Sequence, residues 1–259
     1  MRTLGFDSTS AVVTAALIHD GEIESVFSAH SNNMHSTTLL PTIEGLLKLA
    51  GIKVSELSLI SCTTGPGSFT GVRIGTSTAK GLAAPHNIPC IGVSSLAAMA
   101  EIFAEIRGLI CPMIDARRGN VYSAVFYSDG NGIPVRLKED SLVARDELPS
   151  LIEEVATFSG ISGETLYFTG DGADAAYISA HKRGSEIFTP SQAPMLLKMQ
   201  NGYGAAKLGE RIYKDAEKSS ADMSIFDSAK LVPVYLRKSQ AERERDEKTA
   251  GNNLQAEIR

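Results

Sequence analysis

The chain has 259 residues, of which 43% are hydrophobic, and it carries a net charge of −5. This length suits one large domain or two lobes of roughly 100 residues each, and the composition excludes wholesale disorder. The negative charge argues against a protein that grips nucleic acid through a basic face of its own.

Residues 3–30 read as three short strands. "TLGFD" is short and apolar, "AVVTAALIHD" follows a Ser/Thr turn, and "EIESVFSAH" follows Asp20-Gly21. That dipeptide favours a tight hairpin because glycine accepts positive φ. "HSTTLLPTIEGLLKLAG", residues 35–51, then predicts a helix. Leu39, Ile43, Leu46, Leu47 and Ala50 follow helical spacing, and Gly51 is a natural stop. Leu40 and Leu47 widen the apolar surface beyond one stripe. A wholly buried helix accounts for that, and so does a helix with one face on the core and another on a partner.

"LSLISCTTG" (57–65) is a buried type of strand, and "GPGSFTGVRIG" (65–75) leads from it into a second helix. Gly71, Gly75, Ala79 and Ala83 fall on one side of that helix. A ridge of small residues lets another helix approach closely, because nothing projects between the backbones. "IPCIGVSS" reads as a strand and "SLAAMAEIFAEI" as a helix. Residues 1–106 thus give three strands, then helix–strand–helix–strand–helix, an α/β lobe with a mixed sheet.

The second half opens on strands again: "GLICPMIDARRG", "NVYSAVFYSDG" and "IPVRLKEDSLV", with Asp129-Gly130 and Asn131-Gly132 at the last turn. "RDELPSLIEEVA" is amphipathic with early acids, "TLYFTGDGA" ends a strand in glycines, "GYGAAKLGERIYKDA" is helical and "LVPVYLR" is extended. The end, "KSQAERERDEKTAGNNLQAEIR", mixes both charge signs without apolar periodicity and is expected to be disordered. The similar strand-rich openings of the two halves hint at a duplicated fold.

Cys62, Cys90 and Cys111 sit in apolar stretches with no metal or redox spacing, and they read as buried thiols. "MRTLGFDSTS" lacks the apolar core of a signal peptide, and no apolar run reaches membrane-spanning length. The expectation is a soluble cytoplasmic protein.

The glycine loop invites a test against nucleotide motifs. A Walker A loop needs a lysine directly after its last glycine, but Gly71 is followed by Val72 and no lysine comes before Lys80. A dinucleotide fingerprint fails because "GPGSFT" ends in threonine and no acid falls between 67 and 100. Backbone N–H groups could still hold an anion at the helix start, although Pro66 removes one donor. The alternative is that the glycines serve only a sharp turn and close packing. "DSTS", residues 7–10, is the other candidate: three hydroxyls for phosphate and Asp7 for a hydrated magnesium ion, or an ordinary Ser/Thr turn.

Other chemistry is thin. The histidines, 19, 30, 35, 86 and 181, form no i, i+4 pair, and Ser68 in "GSFTG" is not a nucleophile elbow. Asp115 with Arg117 and Arg118 in "DARRG" reads as a turn with local ion pairs. The residues alone give a two-lobed α/β protein with a candidate phosphate cleft.

"LGFDSTS", "HSTTLLPTIEGLL", "TTGPGSFTGVRIGTSTAKGLA", "IPCIGVSSL", "DARRGNVYSAVF" and "VPVYLR" occur in that order. Together they resemble the TsaB family, also called YeaZ, of the bacterial tRNA threonylcarbamoyladenosine system, from residue 3 to about residue 237. The resemblance implies a two-lobed α/β fold of the actin-like ATPase and sugar-kinase superfamily, each lobe a mixed sheet flanked by helices. The N-terminal lobe would be 1–106, the C-terminal lobe 107–237, and the charged tail 238–259. It implies a non-catalytic partner and activator of TsaD, the subunit that places threonylcarbamoyl on adenosine in tRNA that reads ANN codons. The working assembly would include TsaD and the small ATPase TsaE. Alone, the chain would be a homodimer or a monomer, and tRNA would be met only through the complex.

TsaD-like proteins carry a His-x-x-x-His metal motif after a "GV" strand end. Here the matching stretch is "GVSSLAAM", with Ser95 and Met99 at the histidine positions, so neither metal site nor catalytic residue is expected. No cofactor would be required. Asp7, Ser8, Thr9, Ser10, Gly65 and Gly67 would form a vestigial nucleotide site that allows weak ATP or ADP binding. Leu40, Leu47, Gly71, Gly75, Ala79 and Ala83, on the helices 37–50 and 71–84, would form the partner interface. Arg118 departs from the family pattern, where a small or apolar residue is frequent. Two competing readings are a metal-independent peptidase and a small-molecule kinase of the same superfamily, the latter with Asp171 of "TLYFTGDGAD" as base. The lack of a Ser/His or Cys/His arrangement weighs against the first. The second needs a complete phosphate loop in each lobe.

Overall fold

The computed structural model describes residues 1–30 and 34–237; the charged tail, 238–259, lies outside the described residues. The opening meander is β1 (Arg2–Asp7), β2 (Val12–His19) and β3 (Glu22–His30). Asp20 and Gly21 turn the second hairpin at φ 50° and 87°. β1 and β2 are buried along nearly their whole length, which is why both read as unbroken apolar runs, whereas the edge strand β3 is exposed or half-buried throughout.

α1 (His35–Ala50) follows, with Gly51 closing it in the left-handed conformation at φ 70°. Then come β4 (Leu59–Gly65), α2 (Phe69–Ala83), β5 (Cys90–Ser94) and α3 (Ser95–Glu101). The sheet order is β3-β2-β1-β4-β5. β1, β2 and β3 pair antiparallel, while β4 joins β1, and β5 joins β4, in parallel.

The second half repeats this plan. β6 (Gly108–Asp115), β7 (Asn120–Ser128) and β8 (Val135–Ala144) form a meander, followed by α4 (Leu148–Phe158), β9 (Glu164–Thr169), α5 (Ala173–Arg183) and β10 (Phe188–Gln192). Its order, β10-β9-β6-β7-β8, is the first sheet's order with the same parallel and antiparallel senses. Two such mixed sheets with flanking helices make a two-lobed α/β architecture.

After the short α6 (Met195–Lys198), α7 (Gly202–Lys218) leaves the second sheet and packs on β1, β2, β4 and α3. It answers the few polar side chains of the first sheet. Thr14 Oγ1 accepts the Gly202 N–H at 3.1 Å, Ser61 Oγ donates to Ala205 O at 2.6 Å, and Thr3 Oγ1 donates to Glu210 Oε2 at 2.9 Å. Burial of these hydroxyls is thereby matched by hydrogen bonds. Leu59, Ile91, Val93 and Ala98 bury against Ala205, Leu208 and Phe226 in the same layer.

One expectation about the helices needs correction. Gly71, Gly75, Ala79 and Ala83 are buried within this chain, not displayed for a partner. Gly71 and Gly75 lie against Ser8, and Ala79 and Ala83 join Leu4, Phe6 and Ile60 in the core. The close approach such a ridge permits is used by the chain's own β1–β2 turn and sheet. Leu47 is buried in the same cluster, while Leu40 is 43% exposed. Among the described residues no helix is long and apolar enough to cross a membrane.

Candidate functional site

A cleft of about 400 Å³ opens between the lobes. The first lobe contributes Thr9, Ser10, His35, Gly67 and Ser68, and the second contributes Ile114, Asp115, Arg117, Tyr122 and Asp171. It forms because β1 and β6, equivalent strands of the two sheets, both end here.

On the first wall, Asp7 ends β1 and is 1% exposed. Its Oδ1 accepts the Thr9 N–H at 2.6 Å and the Thr9 hydroxyl at 2.7 Å. Burial pushes the carboxyl up to about 6, the Thr9 bonds pull it back in part, and the charge of Asp171 adds to the rise. Ser8 Oγ donates to Gly71 O at 2.9 Å. The "DSTS" turn is therefore brought together as the spacing suggested, but its Ser8 and Thr9 hydroxyls are spent inside the protein. Ser10 Oγ has no partner.

The glycine loop packs directly on this turn. Ser68 donates its N–H to Thr9 O at 2.7 Å, and Ser68 Oγ accepts the Gly71 N–H at 3.3 Å, capping α2. A Cβ on Gly67 would sit 2.5 Å from Thr9 O, so the loop needs glycine for contact with its neighbour. Pro66 has no N–H to offer an anion, and the N–H groups of Ser68 and Gly71 are bonded within the protein.

On the second wall, the turn after β6 holds Arg117 and Arg118 in the left-handed region, at φ 65° and 56°. Each such residue costs about 1–3 kcal/mol. The turn is held by the Arg117 N–H donating to Asp115 Oδ1 at 2.9 Å and Asn120 Nδ2 donating to Arg118 O at 3.2 Å. Asp115 sits 3.7 Å from the Arg117 guanidinium and 3.9 Å from that of Arg145. Its own N–H donates to Asp171 Oδ1 at 2.8 Å. Burial raises the Asp171 carboxyl above the usual range. "DARRG" is thus a turn with local ion pairs, and Asp171 braces it.

Three contributors escaped the sequence. His35 is 6% exposed in the cleft, with its imidazole pushed down by burial and Nδ1 without a partner. Tyr122 lines the second wall. The segment 231–237 straps the cleft's edge: Val234 donates its N–H to Thr64 O at 2.8 Å, and Tyr235 stacks on Phe69 with centroids 4.6 Å apart. Tyr235 also accepts from Arg73 Nε at 2.8 Å, and Arg237 Nη1 donates to Ala116 O of the second lobe at 3.1 Å. "LVPVYLR" signalled an extended run but not where it would lie.

Ser95 and Met99, at the positions of the metal motif, are both interior. Met99 packs with Phe103, Ile110 and Phe126. No group of three His, Cys, Asp or Glu among the described residues is placed to hold a metal ion.

The model of the TsaD family, tRNA N6-adenosine threonylcarbamoyltransferase, matches residues 26–183, more than half of the chain. The tRNA threonylcarbamoyladenosine biosynthesis protein TsaB of Escherichia coli K12 is 37% identical over 135 residues, 51% of this chain and 58% of that protein. The match therefore spans little more than half the length of that relative. The protein of the same name from Bacillus subtilis 168 is 29% identical over 242 residues, 93% of this chain and 96% of that one. A solved Pseudomonas aeruginosa protein, described as similar to peptidase YEAZ, superposes with a TM-score of 0.70 at 23% identity, over 91% of this chain and 99% of that one. With its family model, its aligned relatives and its fold in agreement, the chain belongs to the TsaB (YeaZ) family.

Proposed function

We propose that this chain is the non-catalytic partner and activator of TsaD in forming threonylcarbamoyladenosine in tRNA that reads ANN codons. It works in the cytoplasm, assembles with TsaD and TsaE, and meets tRNA through that complex. The observation that carries the reading is the cleft of a family member in which the Ser8 and Thr9 hydroxyls and the Ser68 N–H bond inside the protein. Ser95 and Met99 in the metal-motif positions point the same way. No cofactor is needed, and ATP or ADP binds this cleft weakly. Leu40 of α1, 43% exposed, offers an apolar contact for pairing with TsaD or, in its absence, with a second copy. An interface of this kind buries roughly 1,200–2,000 Å² in total.

The experiment is threonylcarbamoyl transfer to unmodified tRNA by TsaD, TsaE and the threonylcarbamoyl-AMP synthase, with threonine, bicarbonate and ATP. Modification should depend on this chain, which alone should turn over nothing. Equal modification without it would overturn the reading.

A further inference from the structure

Two polar atoms at the cleft lack hydrogen-bond partners although they are enclosed: Ser10 Oγ, on a residue 7% exposed, and His35 Nδ1, on a residue 6% exposed. A buried polar group without a partner costs about 1–3 kcal/mol. The neighbouring hydroxyls of Ser8 and Thr9 avoid that cost by bonding inward. A second feature coincides with the pair. His35 is the first residue of α1, a helix of 16 residues whose N-cap, Met34, offers no side-chain cap and whose first turn holds no acid. The first N–H groups of a helix have no intrahelical acceptor and carry the positive end of its dipole. Among the described residues no acceptor meets those of His35 and Ser36.

We propose that Ser10, His35 and the opening N–H groups of α1 form a pocket for a small monocarboxylate. Charge decides between a carboxylate and a phosphate. The opposite wall carries Asp115 and Asp171, with Asp7 behind the turn. The nearby cations, Arg117 and Arg145, already attend Asp115. A phosphate dianion would face that acidic wall, whereas a monoanion with two oxygens needs only the hydroxyl, the imidazole and the helix start. Burial alone displaces the His35 imidazole downward, so it stays neutral and donates through Nδ1–H in the matching tautomer. The site goes beyond the partner role and does not depend on it.

The test is titration of the full chain with sodium acetate and, separately, sodium phosphate at constant ionic strength. The readout is the His35 ring and Ser36 amide resonances by NMR. Acetate should move both saturably. Ser10→Ala removes a hydroxyl that bonds to nothing in the protein, so the fold should persist while acetate binding weakens about tenfold or more, the equivalent of one lost hydrogen bond. His35→Phe provides a second variant with the same expectation. Tighter binding of phosphate than acetate would overturn the carboxylate assignment. No saturable shift with acetate, or unchanged affinity in both variants, would overturn the pocket itself. Either failure leaves the tRNA-modification reading standing, because binding is measured without TsaD.

Discussion

Ser8 and Gly71 lock the first turn onto the second helix: the Ser8 hydroxyl donates to Gly71 O at 2.9 Å, and a Cβ on Gly71 would run into the Ser8 carbonyl oxygen. The obstacle is backbone, so it cannot rotate away. Gly71→Ala should therefore destabilise the protein by about 2–4 kcal/mol, the range for overpacking plus a lost hydrogen bond. Urea unfolding would measure it, and an unchanged midpoint would refute the packing described.

Leu40 and Gly75 should behave in opposite ways. Leu40 is 43% exposed, so Leu40→Arg should leave stability within about 0.5 kcal/mol yet weaken pairing with TsaD. Gly75 is buried, with a Cβ position 2.9 Å from Ser8 Oγ, so Gly75→Arg should unfold the chain itself. Circular dichroism and gel filtration with TsaD separate the two effects. A folded, unpaired Gly75→Arg protein would show the ridge to be an external surface after all.

That pair of residues shows how much of this molecule can be read from its sequence. The meander, α1, α2 and the repeated plan of the halves follow from turn dipeptides and periodicity, because these are local. The i, i+4 spacing of Gly71, Gly75, Ala79 and Ala83 announces a close approach but does not say what approaches. Here it is the chain's own turn, a contact that no local pattern encodes. α5 and β10 leave no clear sequence signal: "ADAAYISAHKR" has weak amphipathicity and "FTPSQ" holds a proline, tolerated on an edge strand. The candidate turn Asp7–Ser10 was legible as a cluster, whereas the use of its hydroxyls depended on residues far along the chain.

Asp7 should make stability depend on pH. Its carboxyl, ordinarily at 3.8, is pushed up to about 6 in the folded chain, chiefly by burial. The folded state then holds the proton longer than the unfolded state, so this contribution leaves stability intact below 3.8, lowers it as pH rises from 3.8 to 6, and holds it down above. The loss is on the order of 3 kcal/mol. Asp7→Asn keeps an oxygen for Thr9 and removes the charge. At pH 7 it should be more stable than the parent by about 1–3 kcal/mol, and at pH 3.5 the advantage should vanish. An equal advantage at both values would show that ionisation is not the cause.

The three thiols should be inert in the folded protein. Burial pushes Cys90 and Cys111 up to about 12 and Cys62 higher still. The thiolate is the reactive form, so iodoacetamide at pH 8 should label none of them in native conditions and all three in urea. Mass spectrometry counts the adducts; rapid native labelling would mean the strands that carry them open readily.

The return of α7 to the first sheet has a consequence for biosynthesis. Translation delivers β1 to β5 first, yet the helix that covers one face of their sheet, residues 202–218, is made only after the whole second sheet. Until then Leu59, Ile91 and Val93 have no cover from Ala205 and Leu208. The first lobe of the nascent chain thus keeps an uncovered apolar face until the helix 202–218 is made. A premature stop before residue 202 would leave an aggregation-prone fragment, not half of a working protein.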